Sequence, residues 1–554
     1  MKRIALALLV CQATVACSSG TKRVGSQPSW RGGKAPVAAT SAAVVKTTFA
    51  PTSEPATRYN EPLQPPPSSP LGDAVIAAVR EAAAKAGVPA PAADARLFRA
   101  CAELAEVVPE DGIAGYGVVA FALQRQGIIE PTRSLLVLWG GDDPDTIVEK
   151  LRPQLPDIVA AGATGRLGIG LARRKADGTN AIVFVLQTSG VATNPIPRSL
   201  PANGSFSLDA VVDAHYREPE LFVTHEDGTT EQIALEIGRA GGFKAKVACG
   251  KHAGRQQIEI MASDAQGSAV LANFPVWCAQ EPPLSFSLNA PTEAAAPVTA
   301  DDAEKRLFAL ANRDREAAGL PALQWDDRVA AVARAHSEDM RQTKIVAHIS
   351  PTTGSAADRV RAAGIKTGAV FENVARAYAV GEAHGGLMDS PSHRANVLSS
   401  KATHIGIGVV LGAEVSSQRE MFVTEVFIRV PPKVEPARVA TIVRDRINAV
   451  RPIQVNPRLT SVAQELADGL AGGKSRDSLW SGVKKKLDGM NTSYARVGSV
   501  TSAVADLDMI DGKQLVGDYK PDDIGVGIAQ GFHPEIGDGA VWIVVLMAEK
   551  LPKR

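Results

Sequence analysis

The sequence predicts a multidomain α+β protein in which helix-then-strand blocks flank a β-rich insert. Three observations carry this. A chain of 554 residues exceeds what one hydrophobic core organises. A turn with Pro, then Arg at the start of a helix, then a later strand opening x-Gly-x-Gly recur three times. Between the first two recurrences, short alternating apolar runs replace the helical pattern.

The chain divides as follows. Residues 1–17 read as a secretion signal: Lys2-Arg3 precedes an apolar run, Ile4 to Val10, too short for a permanent membrane helix. Thr14-Val15-Ala16-Cys17-Ser18 resembles a bacterial lipobox, which makes Cys17 the expected lipidation site. Two signals or chains give stable anchoring, and Ser18 after the Cys favours the outer membrane by the sorting rule of Gram-negative lipoproteins. Residues 18–70 are rich in Ser, Thr, Pro and Ala, so a disordered tether is expected there.

In 73–190, Gly87-Val-Pro-Ala-Pro-Ala-Ala-Asp94-Ala-Arg96 leads into a helix, and Arg166-Leu-Gly-Ile-Gly170 opens a later strand region. In 301–430 the counterparts are Gly319-Leu-Pro-Ala-Leu-Gln-Trp-Asp326-Asp-Arg328 and Ile405-Gly-Ile-Gly408. In 435–554 they are Pro452 to Arg458, one residue shorter, and Ile524-Gly-Val-Gly527. Copies of this length are repeated domains rather than solenoid units. The β-rich insert, 196–288, has strands at roughly eight-to-twelve-residue spacing, the pattern of a small immunoglobulin-like sandwich. Cys249 and Cys278 are expected to pair there. That bridge closes a loop of about thirty residues and stabilises by about 3–4 kcal/mol in the chain-entropy account. Cys101 is left as a buried free thiol in a helix, and His215, His225 and His252 read as surface residues.

Charge gives no electrostatic reason to expect nucleic acid as a partner: Lys+Arg 60 against Asp+Glu 59, net +1. The chemistry concentrates in the middle block. His348 lies in Ala347-His348-Ile349-Ser350, Glu372 in Phe371-Glu372-Asn373-Val374, and His393 in Ser390-Pro391-Ser392-His393-Arg394. The first copy contains no His and the third only His533, beyond its x-Gly-x-Gly signature, so a two-His site belongs to the middle copy alone. Two imidazoles and a carboxylate brought together bind a divalent cation, shuttle protons, or hold the local structure.

These ordered motifs, with Leu310-Ala-Asn-Arg313 and Ala333-Arg-Ala-His336-Ser-Glu-Asp-Met340 upstream, resemble the CAP superfamily (SCP or PR-1-like domains) in its bacterial form. The resemblance covers about 301–430. It implies an α-β-α sandwich with a concave cleft; the internal repetition extends the CAP-like reading to 73–190 and 435–554, with the immunoglobulin-like sandwich inserted between the first two copies. The resemblance also implies a cleft tetrad of two His and two acids. By motif these are His348, Glu372 and His393, with Asp389 or Glu382 for the fourth position. Asn373, Arg394, Asn396 and Glu425 are expected around them. The sequence departs from the family pattern at Leu387, where Trp is usual, and at Glu425, where Gln is usual, and this bears on cleft chemistry more than on fold. The expected cofactor is zinc (Zn²⁺) or another divalent cation, or none. The expected function is non-catalytic binding of an envelope lipid, a cell-wall component or a protein by an anchored lipoprotein. A metal-dependent hydrolase using the same cluster is the alternative.

Overall fold

The computed structural model describes residues 7–9, 16–19, 46–108, 115–131, 134–160, 165–173, 178–289, 299–365, 367, 369–415, 418–430, 433–489, 494–504, 507–517, 519–534 and 536–550. Helix and strand alternate in the segments on either side of a stretch, Val191 to Asn289, that is all strand and turn. Contacts divide the chain into two units. One holds residues 1–359, 371–400 and 405–426; the other holds 360–370, 401–404 and 427–554.

In the first segment, the strands Ser134–Trp139, Asn180–Thr188 and Gly165–Arg173 pair antiparallel, and the short Ala92–Ala93 joins the last of them in parallel. Alternation along these strands feeds two cores. Leu135, Val137, Val183 and Val185 pack with the helices Ala95–Val107 and Tyr116–Arg125. Leu136, Leu138, Ile182 and Phe184 pack with Pro70–Ala86 and Pro144–Leu151. A period-2 strand with both faces apolar needs a layer of helices on each side. Cys101 is buried and free, as the helix pattern predicts.

The last segment has the same order. Asp523–His533, Gly537–Lys550 and Tyr494–Val504 form the sheet, with Gln454–Val455 parallel to its first strand. In the middle segment the sheet runs Val370–Ala377, Gln418–Ile428, His404–Val415, Gln324–Trp325.

The recurring sequence signature has one physical cause in all three. A capping residue opens the helix: Asp94, Asp326 or Asn456 accepts from the N–H of Arg96, Arg328 or Arg458 at 2.9–3.0 Å. Its own N–H donates to Leu167, Ile405 or Ile524, the residue just before the first glycine. The glycines then let the strand lie against the helix backbone. A Cβ at Gly406 would sit 2.1 Å from the Ala330 nitrogen, and one at Gly408 2.0 Å from the Arg334 nitrogen. At Gly168, Gly170, Gly525 and Gly527 a Cβ would lie 2.1–2.5 Å from the facing helix.

The β-rich segment has two sheets. Ser199–Leu200, Gly267–Cys278, Gly254–Asp264, Arg217–Thr224 and Thr230–Ile233 make one; Glu236–Ile237, Gly242–Ala248, Ser205–Val212 and Val191–Thr193 make the other. Both contribute to one core that includes Leu208, Phe243, Ile258 and Phe274. A disulfide joins Cys249, after a strand of the second sheet, to Cys278 at the end of a strand of the first.

The expected tether does not extend over 46–64. Lys46–Phe49 pairs antiparallel with Phe286–Asn289, and Phe49 is buried with its ring edge-on to Phe121 at 5.7 Å. Tyr59 is buried and donates to the Pro275 carbonyl at 2.7 Å. Arg125 reaches the Pro51 carbonyl, and Ala56 donates to the Arg125 carbonyl. Two aromatic anchors and complementary backbone bonds order a stretch whose composition alone reads as linker. Residues 20–45 of that tether, and Thr14 and Val15 of the lipobox, lie outside the described residues. Ala16–Ser19 lies antiparallel to the strand of Glu372, with Cys17 opposite Asn373.

Candidate functional site

His348 follows the helix Asp327–Thr343 and is fully buried. Glu372 and Asn373 sit on the strand Val370–Ala377, also fully buried. The structure joins the first two: His348 Nδ1 lies 2.8 Å from Glu372 Oε1. Arg359, on the helix Ala356–Ala362, takes the other oxygen, Glu372 Oε2, and donates to the His348 carbonyl at 3.1 Å. Burial alone pushes the Glu372 carboxyl up, but the His348 bond and the Arg359 charge overcome it and hold it at about 2. Burial lowers the His348 pKa against the pull of Glu372. The pair is therefore a neutral imidazole donating Nδ1–H to a carboxylate. His348 Nε2 is left buried without a hydrogen-bond partner.

His393 meets different groups. Pro391 starts the helix Pro391–Val397, and Ser390 stands at its N-cap position without capping it. The Ser390 hydroxyl instead bonds His393 Nδ1 and Glu259 Oε2. Asn373 Nδ2 donates to the His393 carbonyl at 3.3 Å and to Glu425 at 3.0 Å. Asn396 Nδ2 donates to Asn373 Oδ1 at 2.9 Å and to the Glu372 carbonyl at 3.2 Å. Asn373 and Asn396 thus tie the Glu-Asn strand to the His393 helix, and Glu425 ties it to the strand Gln418–Ile428. Burial raises the Glu425 pKa, against the Asn373 bond that lowers it.

Three expected members lie elsewhere. Asp389 is half exposed and pairs with Arg255 of the β-rich segment at 3.2 Å, so it does not complete the tetrad. Glu382 accepts from the backbone N–H groups of Tyr378 and Tyr116, at 3.0 and 3.1 Å. Arg394 points its Nε to the Gly228 carbonyl at 3.4 Å. Each lies on or beside a short helix, where a shift of one position redirects a side chain by about 100°.

Sequence reasoning missed Arg359 and Glu259. Arg359 belongs to no motif; its only signal is a cation on a short helix between two motifs. Glu259 alternates with Ile258 and Ile260, which reads as a solvent-facing position, yet it is 0% exposed. His225 is another correction: it is buried, stacked on His252 at 4.1 Å, and 3.1 Å from Glu231. His336 is buried and donates to the Ala347 carbonyl.

A divalent cation needs three or four convergent donors. His348 Nε2 is one available donor, oriented by a carboxylate as metal-binding imidazoles are. Glu372 is committed to His348 and Arg359, and His393 Nδ1 to Ser390. No group of three His, Cys, Asp or Glu among the described residues is placed to hold a metal. In this arrangement Glu372 offers no uncommitted oxygen beside His348 Nε2.

The cysteine-rich secretory protein family, CAP, matches over residues 308–427. The uncharacterized protein YkwD of Bacillus subtilis (strain 168) is 35% identical over 129 residues, 23% of this chain and 50% of that protein. The uncharacterized membrane protein YlbC of the same organism is 38% identical over 107 residues, 19% of this chain and 31% of that protein. The chain thus spans half or less of the length of these relatives. Among solved structures it is similar to an extracellular protein containing an SCP domain from Bacillus anthracis str. Ames, at 19% identity and TM-score 0.21, covering 41% of this chain and 82% of that one. An outer surface protein of Borrelia burgdorferi is 16% identical with TM-score 0.21, covering 24% and 97%. Residues 308–427 are a bacterial CAP-superfamily domain within a longer chain.

Proposed function

We propose that this chain is an envelope-anchored lipoprotein whose CAP domain binds a lipid, a cell-wall component or a protein partner without catalysing a reaction. One observation carries the reading. Both oxygens of Glu372 are bound within the chain by His348 and Arg359, so the acid that faces His348 is neither a free base nor a free ligand. A general base must reach the proton it takes, and this one is sealed and strongly acidic. The flanking segments are read as CAP-like copies, and the β-rich segment as an immunoglobulin-like sandwich. The shared sheet order and glycine contacts support the first reading. The last segment has a cavity of about 240 Å³ lined by both polar and apolar side chains, among them Thr501, Asp511, Ile510 and Ile543. Cys17 is the proposed attachment point to the outer membrane. No helix among the described residues is long and apolar enough to cross a membrane.

The test compares wild type, Cys17→Ser and His348→Ala/His393→Ala. Cys17→Ser is expected to leave the membrane fraction, and the soluble protein to co-sediment with isolated envelope material. Zinc titration by calorimetry is expected to give the same weak heat in wild type and the double histidine variant. Zinc-dependent hydrolysis of envelope peptides or polymers that disappears in the double variant would overturn the reading.

A further inference from the structure

We infer that Ser390, Ser392 and His393 form a carboxylate receptor in the CAP domain, filled from within the chain by Glu259 of the β-rich segment. Glu259 lies on the strand Gly254–Asp264 between Ile258 and Ile260, which enter the core of that segment. Alternation therefore points Glu259 out of its own fold. It is nonetheless fully buried, and what covers it is the CAP domain. One oxygen, Oε2, bonds the Ser390 hydroxyl. The other, Oε1, accepts the Ser392 N–H at 3.0 Å. The same hydroxyl faces His393 Nδ1, so serine links the carboxyl to the imidazole. Among the described residues no Lys or Arg pairs with Glu259; serine hydroxyl and backbone N–H hold it. A buried carboxyl without such partners carries a heavy desolvation cost. Burial pushes this one up to about 7 even with them.

The surroundings show a fitted contact. Arg255 pairs with Asp389 and Asn273 Nδ2 donates to the Asp389 carbonyl, both at the start of the receptor helix. The turn after Glu259's strand lies on the His348 loop: Ile349 N–H donates to the Gln266 carbonyl at 2.9 Å. Gly267, at φ +109°, passes so close that a Cβ there would lie 3.1 Å from His348 Cβ. The strand and its turn thus reach the loops of both cleft histidines. The ligand chemistry this implies is a carboxylate presented on an extended strand, and an external acidic ligand reaches the corner only when the β-rich segment lifts away. The inference rests on the binding reading above and names the chemistry of its site.

The experiment is chemical rescue in the full chain. Glu259→Ala removes the carboxyl and leaves its space. Acetate is the probe, against chloride at matched ionic strength, with thermal unfolding as readout. A ligand that binds only the folded state raises the midpoint with its concentration. Glu259→Ala is expected to unfold below wild type and to recover toward it with acetate. Wild type and Glu259→Ala/Ser390→Ala are expected to show no more response to acetate than to chloride. An acetate response in Glu259→Ala no larger than the chloride control, or an equal one in the double variant, overturns the receptor. If Glu259→Ala is recovered only unfolded, refolding is the readout: recovery in acetate but not chloride supports the receptor, and failure in both overturns it. Envelope co-sedimentation is scored separately, so the binding reading and the receptor fail independently.

Discussion

At the scale of single residues, two buried glutamates have their pKa values shifted in opposite directions. Glu372 sits at about 2 because a histidine and an arginine favour its charged form over the cost of burial. Glu259 sits at about 7 because burial raises it, with Glu220 adding a like charge, and its serine partners offset that only in part. Their contributions to stability run in opposite directions with pH. A folded-state pKa below the unfolded one stabilises above about 4.5, and that contribution is lost as pH falls toward about 2. A folded-state pKa above the unfolded one stabilises fully below about 4.5, and that contribution is lost as pH rises through about 7. Each shift spans on the order of 3 kcal/mol at 1.36 kcal/mol per unit. Glu259→Gln cannot ionise and keeps the shape of the side chain. Chemical denaturation from pH 4.5 to 7 is therefore expected to show stability falling in wild type and a flatter profile in Glu259→Gln. A profile as steep in the variant as in wild type would remove Glu259 as the source. The sequence shows His348, Glu372 and His393 because each lies in a short motif. It does not show that Glu372 is clamped by Arg359, or that His393 answers to Glu259. Those pairings depend on which surfaces meet, and neither the motifs nor the alternation pattern records that.

At the scale of elements, the x-Gly-x-Gly strands were the most legible feature, because their cause is steric and local. The helix after each capping residue lies so close to the strand that only a missing Cβ fits. In the middle copy a methyl on Gly408 would meet the Arg334 backbone nitrogen at 2.0 Å. Backbone cannot rotate aside as a side chain can, so the helix must shift. Gly408→Ala is expected to destabilise by about 1–3 kcal/mol, the usual range for overpacking, read as a lower denaturant midpoint at unchanged slope. Gly364→Ala is the contrast: it has open space, and its φ of +71° imposes only local strain. An equal loss in the two variants would deny the close approach its role. The placement of Asp389, Glu382 and Arg394 was not legible for a related reason. They flank or occupy short helices whose start and phase are set by packing rather than by a motif.

At the scale of the whole chain, composition misjudged the stretch before the first helix. Pro, Ser and Thr are poor at building a core, so 18–70 reads as linker. Order in 46–64 comes instead from two aromatic side chains buried in cores that other segments supply. Phe49 enters the core of the first segment and Tyr59 that of the β-rich segment. Between them, Arg58–Tyr59 pairs with Ile196–Pro197, and Asn60 donates to the Gly127 carbonyl. Asn60 Nδ2 also reaches Thr193, and Ala95 donates to the Gln64 carbonyl. The stretch acts as a strap bonded to both segments. Proteases need several residues of free extended backbone, and backbone engaged in this way must first open locally. Limited proteolysis with mass spectrometry is therefore expected to yield a core fragment that begins before Phe49. Phe49→Ala, which opens a cavity costing about 3–5 kcal/mol, is expected to move the first cuts into 50–64. Wild-type protein cut readily between Thr52 and Tyr59 would return this stretch to the tether its composition describes.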